Sequence, residues 1–125
     1  MAMVEMVFVL PLLLLLVFAI AQFGLMFSRW LTLSNAVREG AREGIAYRGT
    51  GCTPGTVETE VKNKVTTYAK AGGLPLTDSA VTVEGECTGS GTPLKVVASY
   101  PFDLNIPFAN VPDVNLKYES SMRNE

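Results

Sequence analysis

The sequence predicts an α+β fold: a long hydrophobic N-terminal α-helix carrying a small head of one short helix and a three-stranded antiparallel sheet. Three observations carry this expectation. Residues 6–27 contain no charged side chain, and only Gln22 and Pro11 interrupt their apolar character. Helical spacing then continues to about Tyr47. Past Gly49-Thr50-Gly51-Cys52-Thr53-Pro54-Gly55 the pattern breaks, resumes with a second helical period, and turns to strict alternation. The 125 residues thus divide into a long helix over 1–48 and a head over 49–125, enough for one small domain.

The first helix has two parts. Its apolar run, at about 1.5 Å per residue, is about 33 Å long and can cross a bilayer core. Beyond it, Leu33, Val37, Ala41 and Ile45 recur every four residues as a buried stripe. Beside them lies a ridge of small residues at the same spacing: Gly24, Ser28, Thr32, Ala36, Gly40 and Gly44. Glycine inside a helix costs about 1 kcal/mol against alanine, so Gly40 and Gly44 require a reason. Small residues every fourth position let helix backbones approach closely, and helix packing is the role expected of Gly24, Ser28, Ala36, Gly40 and Gly44. Pro11 removes one backbone donor, so a kink or an opened turn is expected there, shielded by neighbouring helices. Glu39 and Arg42 are spaced to pair on the solvated side. Trp30 beside Arg29 reads as an interfacial anchor.

A second helix is expected from Thr56 to about Ala71, burying Val57, Val61, Val65, Tyr68 and Ala69 and stopped by Gly72-Gly73. Val81, Val83, Gly85 and Cys87 then share one strand face, as do Leu94, Val96, Ala98 and Tyr100 in the next strand. A proline-punctuated loop over residues 101–113 leads to a last alternating strand through Val114, Leu116, Tyr118, Ser120 and Met122.

Composition excludes several functions. With 10 basic and 12 acidic residues there is no electrostatic footprint for nucleic acid. The chain has no histidine, which removes histidine-based acid–base catalysis and nearly all catalytic zinc sites. Neither a P-loop, nor Gly-x-Gly-x-x-Gly, nor Cys-x-x-Cys, nor a calcium-loop pattern occurs, and Glu84 and Glu86 read as solvated strand acids. No catalytic residue, metal site or cofactor is expected, and the chain is not read as an enzyme.

The only two cysteines, Cys52 and Cys87, point to a disulfide and an oxidising compartment. Arg29, Arg38 and Arg42 would by themselves hold the following part in the cytoplasm. Both conditions are met if a short basic leader has been removed and Met1 is a processed N-terminus. Glu5 then becomes informative. A carboxylate at the edge of an apolar span is costly unless it is solvated at the interface, takes up a proton or meets a cation, and the free α-amino group of Met1 in a neighbouring copy would be such a cation. Helices staggered by about one turn would pair Met1 with Glu5.

The segment Met1-Ala2-Met3-Val4-Glu5-Met6-Val7-Phe8-Val9-Leu10-Pro11-Leu12-Leu13-Leu14-Leu15-Leu16 resembles the mature start of type IV pilin-like proteins, in particular the TadE-like family of tight-adherence pilins and pseudopilins. The stretch Asn35-Ala36-Val37-Arg38-Glu39-Gly40-Ala41-Arg42 is similar to that family's next signature, and Glu119-Ser120-Ser121-Met122-Arg123-Asn124-Glu125 to its C-terminal end. The glycine that precedes the family's peptidase cut is absent. The resemblance implies a structural pilin subunit that polymerises through its N-terminal helix into an extracellular Tad-like filament with a role in adhesion. It also implies a prepilin peptidase, an assembly ATPase and platform proteins as partners. The precursor would sit in the bacterial inner membrane and the product on the cell surface, as a helical homo-oligomer. Two alternatives share the fold: a minor pseudopilin that initiates or caps a pilus, and a membrane-tethered binding domain for which α1 only anchors.

Overall fold

The computed structural model describes residues 2–48, 52–53, 55–87, 91–106, 109–110 and 112–123. One helix, α1 (Ala2–Arg48), runs unbroken for 47 residues, about 70 Å at the standard rise. Pro11 lies inside it without ending it. The second helix, α2 (Thr56–Ala71), is followed by a single 3-10 turn (Asp78–Ala80) and the strands β1 (Val81–Glu84), β2 (Pro93–Phe102), β3 (Asn105–Ile106), β4 (Ala109–Asn110) and β5 (Val114–Arg123). β1, β2 and β5 form an antiparallel sheet in the order β1-β2-β5, and β3 and β4 form a separate hairpin.

The sequence expectation differs from this at three places. The alternation beginning at Val81 leaves strand conformation after Glu84, because Gly85 takes a φ of 80°. Such a backbone ends the ladder before Cys87. The stretch expected as a loop over residues 101–113 begins with the end of β2, Pro101 and Phe102, and contains the β3–β4 hairpin. Pro101 is accommodated there at the end of the ladder, opposite Asn115. Finally, Tyr68 is exposed and Thr66 takes the buried place on α2. The Thr66 hydroxyl is satisfied by donating to the Lys62 carbonyl at 2.9 Å, so burying it carries no unpaired polar group.

Both ends of α2 are built from backbone and remote side chains. Gly55 starts it with φ 85° and no side chain to cap with. The Glu86 carboxylate accepts the Gly55 N–H at 2.9 Å instead, placing an anion at the helix N-terminus where the dipole favours it. Cys52 and Cys87 are disulfide-bonded beside it, with Cα atoms 5.6 Å apart, so the strand end and the helix start are tied twice. At the other end Gly73 has φ 77°. The Leu74 N–H donates to the Ala69 carbonyl at 2.8 Å and the Gly73 N–H to Lys70 at 3.0 Å. This is a Schellman stop, with its customary apolar contact between the residues flanking it: Ala69 and Leu74 are both buried.

The core lies between the C-terminal part of α1, α2 and one face of the sheet. It contains Leu33, Ala36, Val37 and Ala41 from α1, Val57, Val61, Val65 and Ala69 from α2, and Val81, Leu94, Val96, Ala98, Phe102 and Leu116 from the sheet, with Leu74 and Leu76 closing one end. The other sheet face is polar, and Lys95 sits between Glu119 at 3.2 Å and Glu84 at 3.9 Å.

Candidate assembly interface

The two helices are antiparallel and very close, and the small residues of α1 make that approach possible. A Cβ added to Gly40 would lie 2.2 Å from Val65 Cγ2, and one on Gly44 would lie 2.5 Å from Leu94 Cδ2 and 2.7 Å from Val61 Cγ2. At the far end the relation is reversed: Gly72 of α2 approaches Thr32 of α1, where an added Cβ would lie 2.4 Å from Thr32 Cγ2. Ala36 is fully buried in the same contact. The ridge thus divides in two. Ala36, Gly40 and Gly44 seat the chain's own head, whereas Ser28 is exposed and Gly24 has open space where a Cβ would be.

From Met3 to Leu31 the helix carries a column of exposed apolar side chains, among them Met3 at 87%, Phe8 at 77% and Phe23 at 62% exposure. Pro11 lies on this bare part and has no N–H to offer the Val7 carbonyl. Glu5 lies in the first turn and is exposed. Its expected partner, Met1, lies outside the described residues. α1 is long and apolar enough to cross a membrane.

A collar of cations and aromatics marks where bare helix becomes helix-plus-head. Phe27 stacks on Trp30 with ring centroids 6.2 Å apart, and Trp30 meets the edge of Tyr118 at 5.9 Å. The Arg38 Nε donates to the Tyr118 hydroxyl at 2.9 Å, with the guanidinium 5.5 Å from the ring centroid. Arg29 lies 5.1 Å over the Phe102 ring. All but the Phe27–Trp30 stack, which lies within α1, join α1 to β2 or β5 and so link the head to the helix that carries it. The sequence pattern places Trp30 and Arg29 at an interface, Arg38 in the basic flank, Tyr118 on a strand and Phe102 in a loop, and does not signal that Arg38 meets Tyr118 or that Arg29 meets Phe102. Their partners lie as much as 80 residues apart, and no local spacing signals such a contact.

Two further ion pairs lie at the surface. Glu43 meets Lys64 across the helices at 3.6 Å. Lys62 holds the Glu58 carboxyl below the ordinary carboxylate range, first by its hydrogen bond and then by its charge. Among the described residues no group of three or more histidine, cysteine or acidic side chains is placed to hold a metal ion. The chemistry on offer is apolar and packing-based: one helix with a bare apolar half, and a head latched rigidly to the rest.

No curated protein and no solved structure matches the chain. One family model does match, over residues 1–42. That span covers the bare apolar half, the collar arginines and the first turns seated on the head. The N-terminal third of this chain is similar to the TadE-like protein family.

Proposed function

We propose that this chain is a structural subunit of a Tad-type, type IV-like filament, made through its N-terminal helix and displayed on the cell surface. The observation that carries the reading is the division of α1. Its first part is apolar, exposed and unpacked by its own head, while its second part is welded to that head. A helix apolar all round is stable only within lipid or among other helices, and this one has both environments available in turn. Before assembly the bare half is solvated by lipid; afterwards it is packed by copies of itself, with the heads outside. Transfer between two dry surroundings costs little, and Glu5 gains a cation from the next subunit's Met1. The TadE-like match over residues 1–42 supports the same reading.

Glu5→Ala tests it. The variant should insert into membranes and fold its head normally but fail to enter filaments. Normal filaments from Glu5→Ala would leave α1 as an anchor only and favour a tethered binding domain. The copy number in sheared fibres separates a main subunit, present throughout, from a minor one confined to an end. Adhesion is read on the same strains, as loss of surface attachment with loss of fibres.

A further inference from the structure

We infer that the open edge of β5 is a docking site for a second copy of this chain, the two β5 strands pairing antiparallel about a two-fold axis at Tyr118. The pairing belongs to the heads and does not rest on the filament reading.

β5 is the long free edge of the sheet. The order β1-β2-β5 leaves β1 and β5 at its two sides, and β1 has four residues where β5 has ten. β5 pairs with β2 without a break from Val114 to Arg123, and α1 packs on its inner face. Every second residue of such a strand directs its N–H and C=O away from the sheet. Among the described residues no backbone group pairs with them on that side. Edges are ordinarily blunted by shortness, proline or a bulge, and β5 has none of these.

The charges along this edge identify the occupant. Asp113, Lys117, Glu119 and Arg123 are exposed at alternate positions, on the side away from the core. With Tyr118 facing Tyr118 of a second β5, Lys117 stands opposite Glu119 and Asp113 opposite Arg123, and each pair occurs twice by symmetry. Among the described residues Asp113, Lys117 and Arg123 have no ion-pair partner in their own chain. Glu119 meets Lys95, which also faces Glu84, so the pairing extends a row of alternating sign across two sheets. On the inner face the partly buried Val114 and Met122 come opposite one another, with the two Tyr118 rings at the axis.

Neighbouring registers are penalised. Opposed side chains must share a face, so each alternative moves the axis by whole residues along β5. With the axis at Lys117 or at Glu119, that residue meets its own like. At Leu116, Glu119 meets Asp113; at Ser120, Lys117 meets Arg123. Like charges directly opposite destabilise a sheet, and of these five registers only the one about Tyr118 avoids them.

The axis also fixes how the helices lie. Arg29 sits over Phe102, which is opposite Val114, and Gly44 sits beside Leu94, which is opposite Met122. β5 therefore runs in the direction of α1, and a two-fold axis through the sheet reverses the partner's α1. The two bare apolar halves leave at opposite ends. Copies paired this way do not share one bilayer or one bundle of parallel helices, so the contact joins copies on separate filaments or facing membranes. A single strand pair is small against the about 1,600 Å² of a standard interface; it is weak between lone copies and strengthens where copies are arrayed.

A charge-swap mixture tests the pairing. The full-length chain is placed in lipid nanodiscs holding one copy each, and sedimentation follows single discs becoming pairs of discs over a concentration series. The unmodified chain should pair. Lys117→Glu and Glu119→Lys should each weaken pairing about tenfold or more, because each sets like charges opposite one another across the axis. Mixed in equal amounts, the two variants should pair more strongly than either alone, since each then opposes the other's charge; this recovery also shows that both heads are folded. Hydrogen exchange should slow with concentration in β5 and not in β1. Glu5→Ala should change none of this, so a failure of the filament reading is seen separately. The proposal is overturned if the unmodified chain does not pair, if neither variant weakens pairing, or if the mixture pairs no better than its components.

Discussion

Gly40 shows how much of this molecule depends on one missing methyl group. Alanine is the better helix former by about 1 kcal/mol, yet its Cβ would collide with Val65, a stiff β-branched side chain held in the core. Overpacking of this kind typically costs about 1–3 kcal/mol. Gly40→Ala should therefore lower head stability despite its helix propensity, whereas Gly24→Ala, which meets nothing within 4 Å, should leave the head unchanged and stiffen the bare helix. Denaturant unfolding followed by circular dichroism checks both. Tyr118 is a second such residue: Tyr118→Phe keeps the contact with Trp30 but removes the acceptor of the Arg38 bond. The expected loss is about 0.5–1.5 kcal/mol, as for a solvent-exposed hydrogen bond. Glu58 gives a pH-dependent effect. Its carboxyl titrates below the ordinary range when folded, so its contribution is present above the unfolded value and disappears as pH falls through the folded one. Glu58→Gln should lower stability slightly near neutrality, where that contribution is present, and flatten the stability profile in the acidic window.

At the scale of elements, the helices were legible because apolar and small residues recur at helical spacing and glycines close α2. The bounds of α2 follow from Gly55 and from Gly72-Gly73, which the Schellman stop uses directly. The limits of legibility are equally physical. Tyr68 continues an apolar stripe in sequence, but it lies outside the core, and a well-bonded threonine goes in. The β3–β4 hairpin was hidden by Pro107 and Pro112, which read as loop punctuation, whereas its position is set by the end of the sheet. The collar was not legible because Arg38 and Tyr118 meet only through the whole fold. The disulfide was read from two isolated cysteines, and it links residues 35 apart. Chain-entropy arguments assign such a loop about 3–4 kcal/mol. Replacing Cys52 and Cys87 together by serine should destabilise the head by that order, read as a drop in its thermal midpoint, while α1 stays helical in the membrane.

At the scale of the whole molecule, the design has a rigid join in its middle. The collar and the glycine-lined contact fix the head to α1, so any arrangement adopted by the bare halves dictates where the heads lie. That property suits a subunit of a regular fibre, and in the proposed assembly Glu5, the one charged side chain in residues 2–28, sets the stagger between neighbouring helices. The account's central claim is that copies of this chain polymerise through α1. Electron microscopy with helical reconstruction of fibres sheared from producing cells tests it most directly. The account predicts a core of parallel α1 helices, heads outside, and each Met1 beside a neighbour's Glu5. Fibres that contain no copy of this chain, or copies whose α1 lies outside the core, would contradict it.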